Sequence, residues 1–166
     1  MGLLACRRRL GILDPEDIVD LASRLMDEGV WSAAIDEAYD YVYPWHTDLW
    51  RAFDTILADH GIVPPPVQVA AQIVLRKVMR CILDGSLAPR AGVDRIHEDV
   101  HHVVDQFTEQ YVGDGLGIAQ LIGLHWEYDD LYPPDDPTRQ ALIDAAVLEE
   151  AAAWLAAHPL PTADPD

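Results

Sequence analysis

Apolar residues recur at helical spacing along most of this chain. The first clear run follows Asp14, which precedes a proline and two acidic residues, as is common at the start of a helix. Ile18, Leu21 and Leu25 then follow at intervals of three or four residues, and Gly29 ends the run. The same spacing predicts helices from Ser32 to about Tyr43, from Thr47 or Asp48 to Gly61, from Gly92 or Val93 to Phe107, from Leu116 to Tyr128, and from Thr138 to about Ala157.

The segment from Val67 to Leu83 has a distinct pattern. It follows three consecutive prolines that form a stiff connector. Its polar residues recur every four positions, and nearly all of the others are apolar: Gln68, Gln72, Arg76 and Arg80 form the polar stripe. Because a helix with one narrow polar stripe is mostly buried, we expect residues 67–83 to form the central helix of the fold.

These runs predict an all-α fold. We expect one domain over residues 1–158, built as a bundle of six to seven helices around the central helix, and a disordered tail over residues 159–166. In the last helix the inward face is predicted to comprise Ala141, Leu142, Ala145, Leu148, Ala152 and Leu155. The only competing strand signal is the alternation of aromatic residues from Tyr39 to Tyr43.

Composition narrows the classes of function. The chain has 166 residues, of which 50% are hydrophobic, and this is enough for a packed core. Its 29 acidic residues outnumber its 11 lysines and arginines, which gives a net charge of -18. This charge argues against binding a nucleic-acid backbone or an anionic membrane surface, because both need clustered basic residues. It permits a basic partner protein, a cation, or a role in solubility alone.

Few features of the sequence bear on its location. Two cysteines, Cys6 and Cys81, are too few for a disulfide scaffold, and no apolar run is long enough to span a membrane. The Leu3-to-Cys6 string has the look of a lipoprotein cleavage box but lacks a preceding basic and apolar region. We therefore expect a cytoplasmic protein. The single lysine, Lys77, among many alanines, aspartates and arginines suggests a GC-rich bacterial source.

One string matches a catalytic motif. His97, Glu98 and His101 reproduce the HExxH pattern in which two histidines hold Zn²⁺ and the glutamate polarises a metal-bound water. On a helix drawn at about 100° per residue, however, the two histidines lie at the edge of the apolar stripe and Glu98 faces away from that stripe, towards solvent. The sequence also has no third ligand at a recognisable spacing. The alternative interpretations are a non-catalytic metal site at His97 and His101, and a local network of charged and polar groups on a solvated helix face.

A segment near the end of the chain combines aromatic and acidic residues. Such combinations are typical of interaction surfaces, because aromatic rings supply contact area and acids supply complementarity to a basic partner. The same residues could also belong to an ordinary amphipathic helix. The candidate partner-binding residues are Trp126, Glu127, Tyr128, Asp129, Asp130, Tyr132, Asp135 and Asp136.

Three functions remain open from the sequence. The favoured one is a non-enzymatic, acidic helical protein that binds a basic partner and needs no cofactor, as immunity or antitoxin-like inhibitors of nucleases do. The second is a zinc-dependent hydrolase that uses the HExxH string. The third is a small-ligand binder with a pocket between helices near Trp45, Trp50 and Trp126.

Overall fold

The computed structural model describes residues 1–41, 46–102, 115–131 and 136–159, without the side chains of His46 and Thr47. Every regular element in these ranges is helical, which confirms the predicted all-α class. The helices are α1 (Gly2–Leu10), α2 (Pro15–Asp27), α3 (Ala33–Tyr39), α4 (His46–Asp59), α5 (Val67–Leu83), α6 (Pro89–Ile96), a π-helical turn (His97–His101), α7 (Ala119–Asp129) and α8 (Pro137–Ala157).

The sequence located most of these helices but not all. Helix α5 occupies the predicted range, and Ser32 caps α3 as its pattern suggested, with its hydroxyl oxygen accepting from the Ile35 N–H. Helix α1 was not predicted, so the eight α-helices in the described ranges exceed the predicted six to seven. The part of the Tyr39-to-Tyr43 segment that is described contains no strand.

The chain separates into two compact units, Met1–Pro66 and Val67–Asp166. The boundary follows the three consecutive prolines that the sequence marks as a connector. The expectation of one domain over residues 1–158 stays a prediction, as does that of a disordered tail, because most of the tail lies outside the described residues.

The first unit consists of α1 to α4 around one apolar core. Phe53 and Ile56 on α4 are fully buried there, together with Ile18 on α2 and Ile35 on α3. Helix α1 adds Ala5 to this core. Two of its arginines pair with acids further along the chain: Arg7 pairs with Asp14 and Asp17, and Arg8 forms two hydrogen bonds with Asp54.

In the second unit, α5 packs against α6, the π-helical turn and α8, while α7 packs against α6 and α8. Helix α5 buries seven side chains and exposes others, such as Leu83. It is therefore an amphipathic core helix of this unit. The buried residues of α5 are Ala70, Ala71, Val74, Leu75, Val78, Met79 and Ile82.

The inward face predicted for the last helix is wrong. Helix α8 buries Ile143, Val147, Ala151 and Trp154. The predicted residues lie on the exposed side, except that Leu155 is half-buried: Ala141, Leu142, Ala145, Leu148 and Ala152 are exposed. Alanine occurs on both sides of this helix, and two of its leucines, Leu142 and Leu148, lie on the exposed side, so its pattern alone did not distinguish the buried face from the exposed one. Trp154, the largest side chain of the helix, lies on the buried side.

No helix in the described residues is both long enough and apolar enough to cross a membrane.

Close packing of α6 on α5 leads to a prediction about Gly92. A Cβ atom added there would lie 2.4 Å from two side-chain carbons of Ile82, which is itself buried. We expect Gly92→Ala to lower the free energy of unfolding by about 1–3 kcal/mol, because a clash in a packed core outweighs the gain in helix propensity. Urea unfolding followed by circular dichroism measures this change.

Gly123 provides the matched control. It lies inside α7, and a Cβ atom there would contact nothing within 4 Å. Gly123→Ala should therefore raise the free energy of unfolding by roughly 0.5–1 kcal/mol, which is the propensity gain alone. Equal effects of the two substitutions would show that the α5–α6 contact is not tightly packed.

Candidate functional site

The second unit brings four histidines together with an exposed tryptophan. His97, His101 and His102 come from the π-helical turn and its end, and His125 and Trp126 come from α7. The His97 ring stacks on His125, with ring centres 4.2 Å apart, and its edge meets Trp126 at 5.1 Å. We call this group the histidine cluster.

The backbone at the HExxH string is π-helical rather than α-helical. The N–H of His102 donates to the carbonyl of His97, five residues earlier. In such turns each hydrogen bond spans five residues rather than the four of an α-helix, and they often occur at functional sites. The turn places His97 in the interior at 8% exposure, whereas His101 is half-buried and Glu98 is exposed, as the angular positions predicted for Glu98.

His125 is fixed by two carboxylates. Its Nδ1 lies 2.9 Å from Oδ1 of Asp94 on α6, and its Nε2 lies 3.8 Å from Oδ2 of Asp129, one turn later on α7. Asp129 also lies 3.8 Å from the guanidinium of Arg90. Sequence reasoning missed the contact between His125 and Asp94, because it joins residues that are 31 positions apart.

Burial lowers the pKa of His97 below its usual value. The neighbouring imidazoles of His125, His102 and His101 lower this pKa further, while the carboxylate of Glu98 raises it. Two positive charges on stacked rings repel each other. His97 therefore stays neutral over a wider range of pH than a solvated histidine does.

The two histidines of the HExxH string do not complete a metal site in the described residues. Their rings are nearly parallel, with centres 5.5 Å apart. In the ranges that the structure describes, no group of three or more His, Cys, Asp or Glu side chains is arranged to hold a metal ion. The zinc alternative stays a prediction. Its candidate base, Glu98, is exposed to solvent.

The structure divides the predicted partner-binding residues into three groups. Trp126 is 52% exposed, and Glu127, Asp129 and Asp130 are exposed beside it on the last turn of α7. Tyr128 and Asp136 instead form hydrogen bonds within the unit. Tyr132 and Asp135 lie outside the described residues.

Tyr128 and Asp136 support the helices rather than the surface. Tyr128 is buried, and its hydroxyl donates to Oδ1 of Asp144 on α8. Burial of the hydroxyl raises the pKa of Tyr128, and the hydrogen bond to the Asp144 carboxylate raises it further. Asp136 caps α8, since its carboxylate accepts from the backbone N–H groups of Thr138 and Arg139.

The small-ligand pocket predicted near Trp45, Trp50 and Trp126 stays a prediction. Trp50 belongs to the first unit, Trp126 belongs to the second, and Trp45 lies outside the described residues. The first unit contains a separate groove of about 720 Å³ beside α1 and α4, which sequence reasoning missed. Its lining includes Arg8, Asp54, Leu57 and Ile62.

No family model matches the chain, and neither a curated protein nor a solved structure shows significant similarity to it. The residues of the site therefore carry the functional argument by themselves.

The lowered pKa of His97 predicts how stability depends on pH. In the unfolded chain a histidine titrates near pH 6.5, whereas folded His97 takes up its proton only at lower pH. As the pH falls below about 6.5, the unfolded state binds the extra proton first and stability is lost. The slope from this one residue cannot exceed about 1.4 kcal/mol per pH unit. Urea unfolding across a pH series measures it, and His97→Gln should flatten the profile.

A second variant tests the cause of the pKa shift. Glu98 raises the pKa of His97, so Glu98→Gln should lower that pKa further, as observed by NMR titration of the imidazole. A higher pKa of His97 in this variant would contradict the described environment.

Proposed function

We propose that this protein binds a basic protein partner through the surface of Trp126, Glu127, Asp129 and Asp130, which we call the α7 patch. One observation carries the proposal: a tryptophan that is 52% exposed lies beside three exposed acids on one turn of a helix. Residues three and four apart share a helix face, so Trp126, Asp129 and Asp130 present one surface.

The tryptophan is held in place before any partner arrives. Its ring meets His97 at 5.1 Å and His125 at 5.0 Å between ring centres. An aromatic side chain that is already ordered loses little conformational entropy on binding, which favours it as an anchor. Trp31 in the first unit is 63% exposed but lies between α2 and α3, and no ring contact to it is found among the described residues.

Two acids of the patch are available to pair with a partner. In the described part of the chain, no basic side chain lies within salt-bridge distance of Glu127 or Asp130. Asp129 instead lies close to Arg90 and His125. A lysine or arginine of a partner could therefore contact the ring of Trp126 and the carboxylates of Glu127 and Asp130 together.

The charge of the whole chain supports the same class of partner. A net charge of -18 accelerates the encounter with a cationic protein and opposes binding to nucleic acid or to an anionic membrane. An inhibitor that masks a basic enzyme such as a nuclease, as immunity and antitoxin-like proteins do, is one form that this function would take. The partner then occupies the α7 patch with its own basic substrate-binding surface.

NMR with a short arginine-rich peptide as the probe tests where binding occurs. Each of the five tryptophans in the chain has one indole N–H, whose signal reports on the surroundings of that side chain. We expect the peptide to shift the indole signal of Trp126 and the amides of Glu127 and Asp130 most strongly. Shifts spread evenly over all acidic segments, or centred on Trp31, would contradict the proposal.

A further inference from the structure

Helix α8 has a second apolar face that is exposed. Leu142 is 69% exposed and Leu148 is 37% exposed. Five small or short side chains between and beyond them are exposed as well, and they form one stripe with Thr138: Ala141, Ala145, Ala152, Ala153 and Ala156. Apolar faces of this extent on a soluble unit commonly mark interaction sites.

The exposed face is centred on Ala145. At about 100° per residue, Ala152 and Ala156 lie within roughly 20° of Ala145, while Leu142 and Leu148 lie about 60° to either side. The buried residues Ile143 and Trp154 lie on the opposite side of the helix. The core of the unit therefore covers one side of α8 and leaves this stripe uncovered.

We propose that a second copy of this chain covers the face, with the two α8 helices antiparallel and a two-fold axis passing beside Ala145. A two-fold interface requires a surface that is complementary to itself. Leu142 and Leu148 meet this requirement. They lie three residues before and three residues after Ala145, on opposite sides of the stripe, so Leu142 of each copy lies at the same height as Leu148 of the other. Alanine along the centre allows the helix axes to approach closely.

Charge complementarity supports the antiparallel arrangement. With the two-fold axis at Ala145, residue 139 of one copy lies at the same height as residue 151 of the other copy. Glu149 of that other copy is two residues from this height, which is about 3 Å along the helix. Both residues fall on the same side of the stripe. Arg139 and Glu149 are exposed, and no ion-pair partner for either occurs among the described residues. Two symmetric Arg139–Glu149 pairs can therefore flank the apolar centre.

The same observations argue against a basic partner on this face. Glu149 is its single acid, and the remaining stripe is alanine, leucine and threonine. Each copy has a net charge of -18, so the two copies repel at long range. Added salt screens this repulsion and should strengthen self-association, whereas it should weaken binding at the α7 patch. The two proposals thus succeed or fail separately.

Sedimentation of the full chain tests the proposed dimer. We expect a monomer–dimer equilibrium that shifts towards the dimer as protein or salt concentration rises. Arg139→Glu or Glu149→Arg alone should weaken the dimer about tenfold, because each change creates like-charge contacts at both symmetric positions. Combining the two substitutions should restore the wild-type dissociation constant, which a merely unfolded variant could not do.

Cysteine cross-linking tests the position of the axis. In a background in which Cys81 is replaced by serine, Ala145→Cys should form an intermolecular disulfide under mild oxidation, because the two copies of residue 145 meet at the axis. Ala141→Cys is the matched control on the same face, since its copies lie eight residues, or about 12 Å, apart along the helix. A monomer at every concentration, or equal cross-linking at both positions, would overturn the proposal.

Discussion

Trp154→Ala is expected to lower the free energy of unfolding of the second unit by about 3–5 kcal/mol. Trp154 is almost fully buried, and truncation to alanine removes a large ring from a packed interior. Loss of the transferred apolar surface and creation of a cavity both contribute to a cost of this size.

The ring of Trp154 joins three parts of the unit, which increases the effect. Its Nε1–H donates to the buried carbonyl of Leu116 at 2.8 Å, just before α7. It stacks on His158 at the end of α8, and the guanidinium of Arg76 on α5 lies 5.9 Å from its ring. Alanine would remove all three contacts and leave the Leu116 carbonyl without its donor.

Trp154→Phe separates the hydrogen bond from the packing. Phenylalanine keeps most of the ring but has no N–H, so the expected cost is about 1–3 kcal/mol, that of a buried acceptor without a partner. Chemical denaturation of both variants gives the comparison. If Trp154→Ala costs no more than Trp154→Phe, the packing of this ring does not stabilise the unit as described.

The second large effect concerns binding. We expect Trp126→Ala to weaken the affinity for a basic partner by at least about 2 kcal/mol, or roughly 30-fold, because an ordered tryptophan at the centre of a contact is often an energetic hot spot. Isothermal titration with the arginine-rich peptide, in parallel with a folding check by circular dichroism, measures this loss.

Trp31→Ala is the matched control for this prediction. Trp31 is 63% exposed and Trp126 is 52% exposed, and each has exposed acidic residues close by in the sequence. The substitution of Trp31 should leave the affinity unchanged within error. An equal loss in both variants would mean that exposed aromatic area, rather than the α7 patch, determines binding.

Most of the fold was predictable because its helices begin and end at local signals. Ser32, Pro137 and the glycines after α2 and α4 act through their immediate neighbours, so the sequence alone places these helix ends. Helix α5 was predictable for a different reason. Its range was predictable because apolar residues fill nearly every position outside one polar stripe, although the helix buries one face rather than most of its surface.

Helix α1 was missed because its sequence lacks a clear apolar stripe. Three consecutive arginines interrupt its apolar pattern, and the acids that neutralise two of them, Asp14, Asp17 and Asp54, lie outside the helix. Its end is local, since Gly11 adopts a left-handed conformation with φ of 75°. The buried face of α8 was mispredicted for a related reason, as alanine fits both the core and the surface.

The candidate site was predictable only in part. The exposed group at Trp126, Glu127 and Asp130 followed from local composition. Its internal support did not, because the contacts of His125 with Asp94 and with His97 join separate helices. The π-helical turn was also invisible in the sequence, since the HExxH string gives the same pattern in an α-helix.

Under the proposed function, position and not total charge directs a basic partner to the α7 patch. Two double variants with equal net charge test this claim: Glu127→Gln with Asp130→Asn in the patch, and Asp27→Asn with Glu28→Gln near Trp31. The one decisive measurement is the dissociation constant of each for the arginine-rich peptide at the same salt concentration. The patch variant should lose most of its affinity, while the variant of the first unit should bind like the wild type. Equal weakening of both variants would contradict the claim.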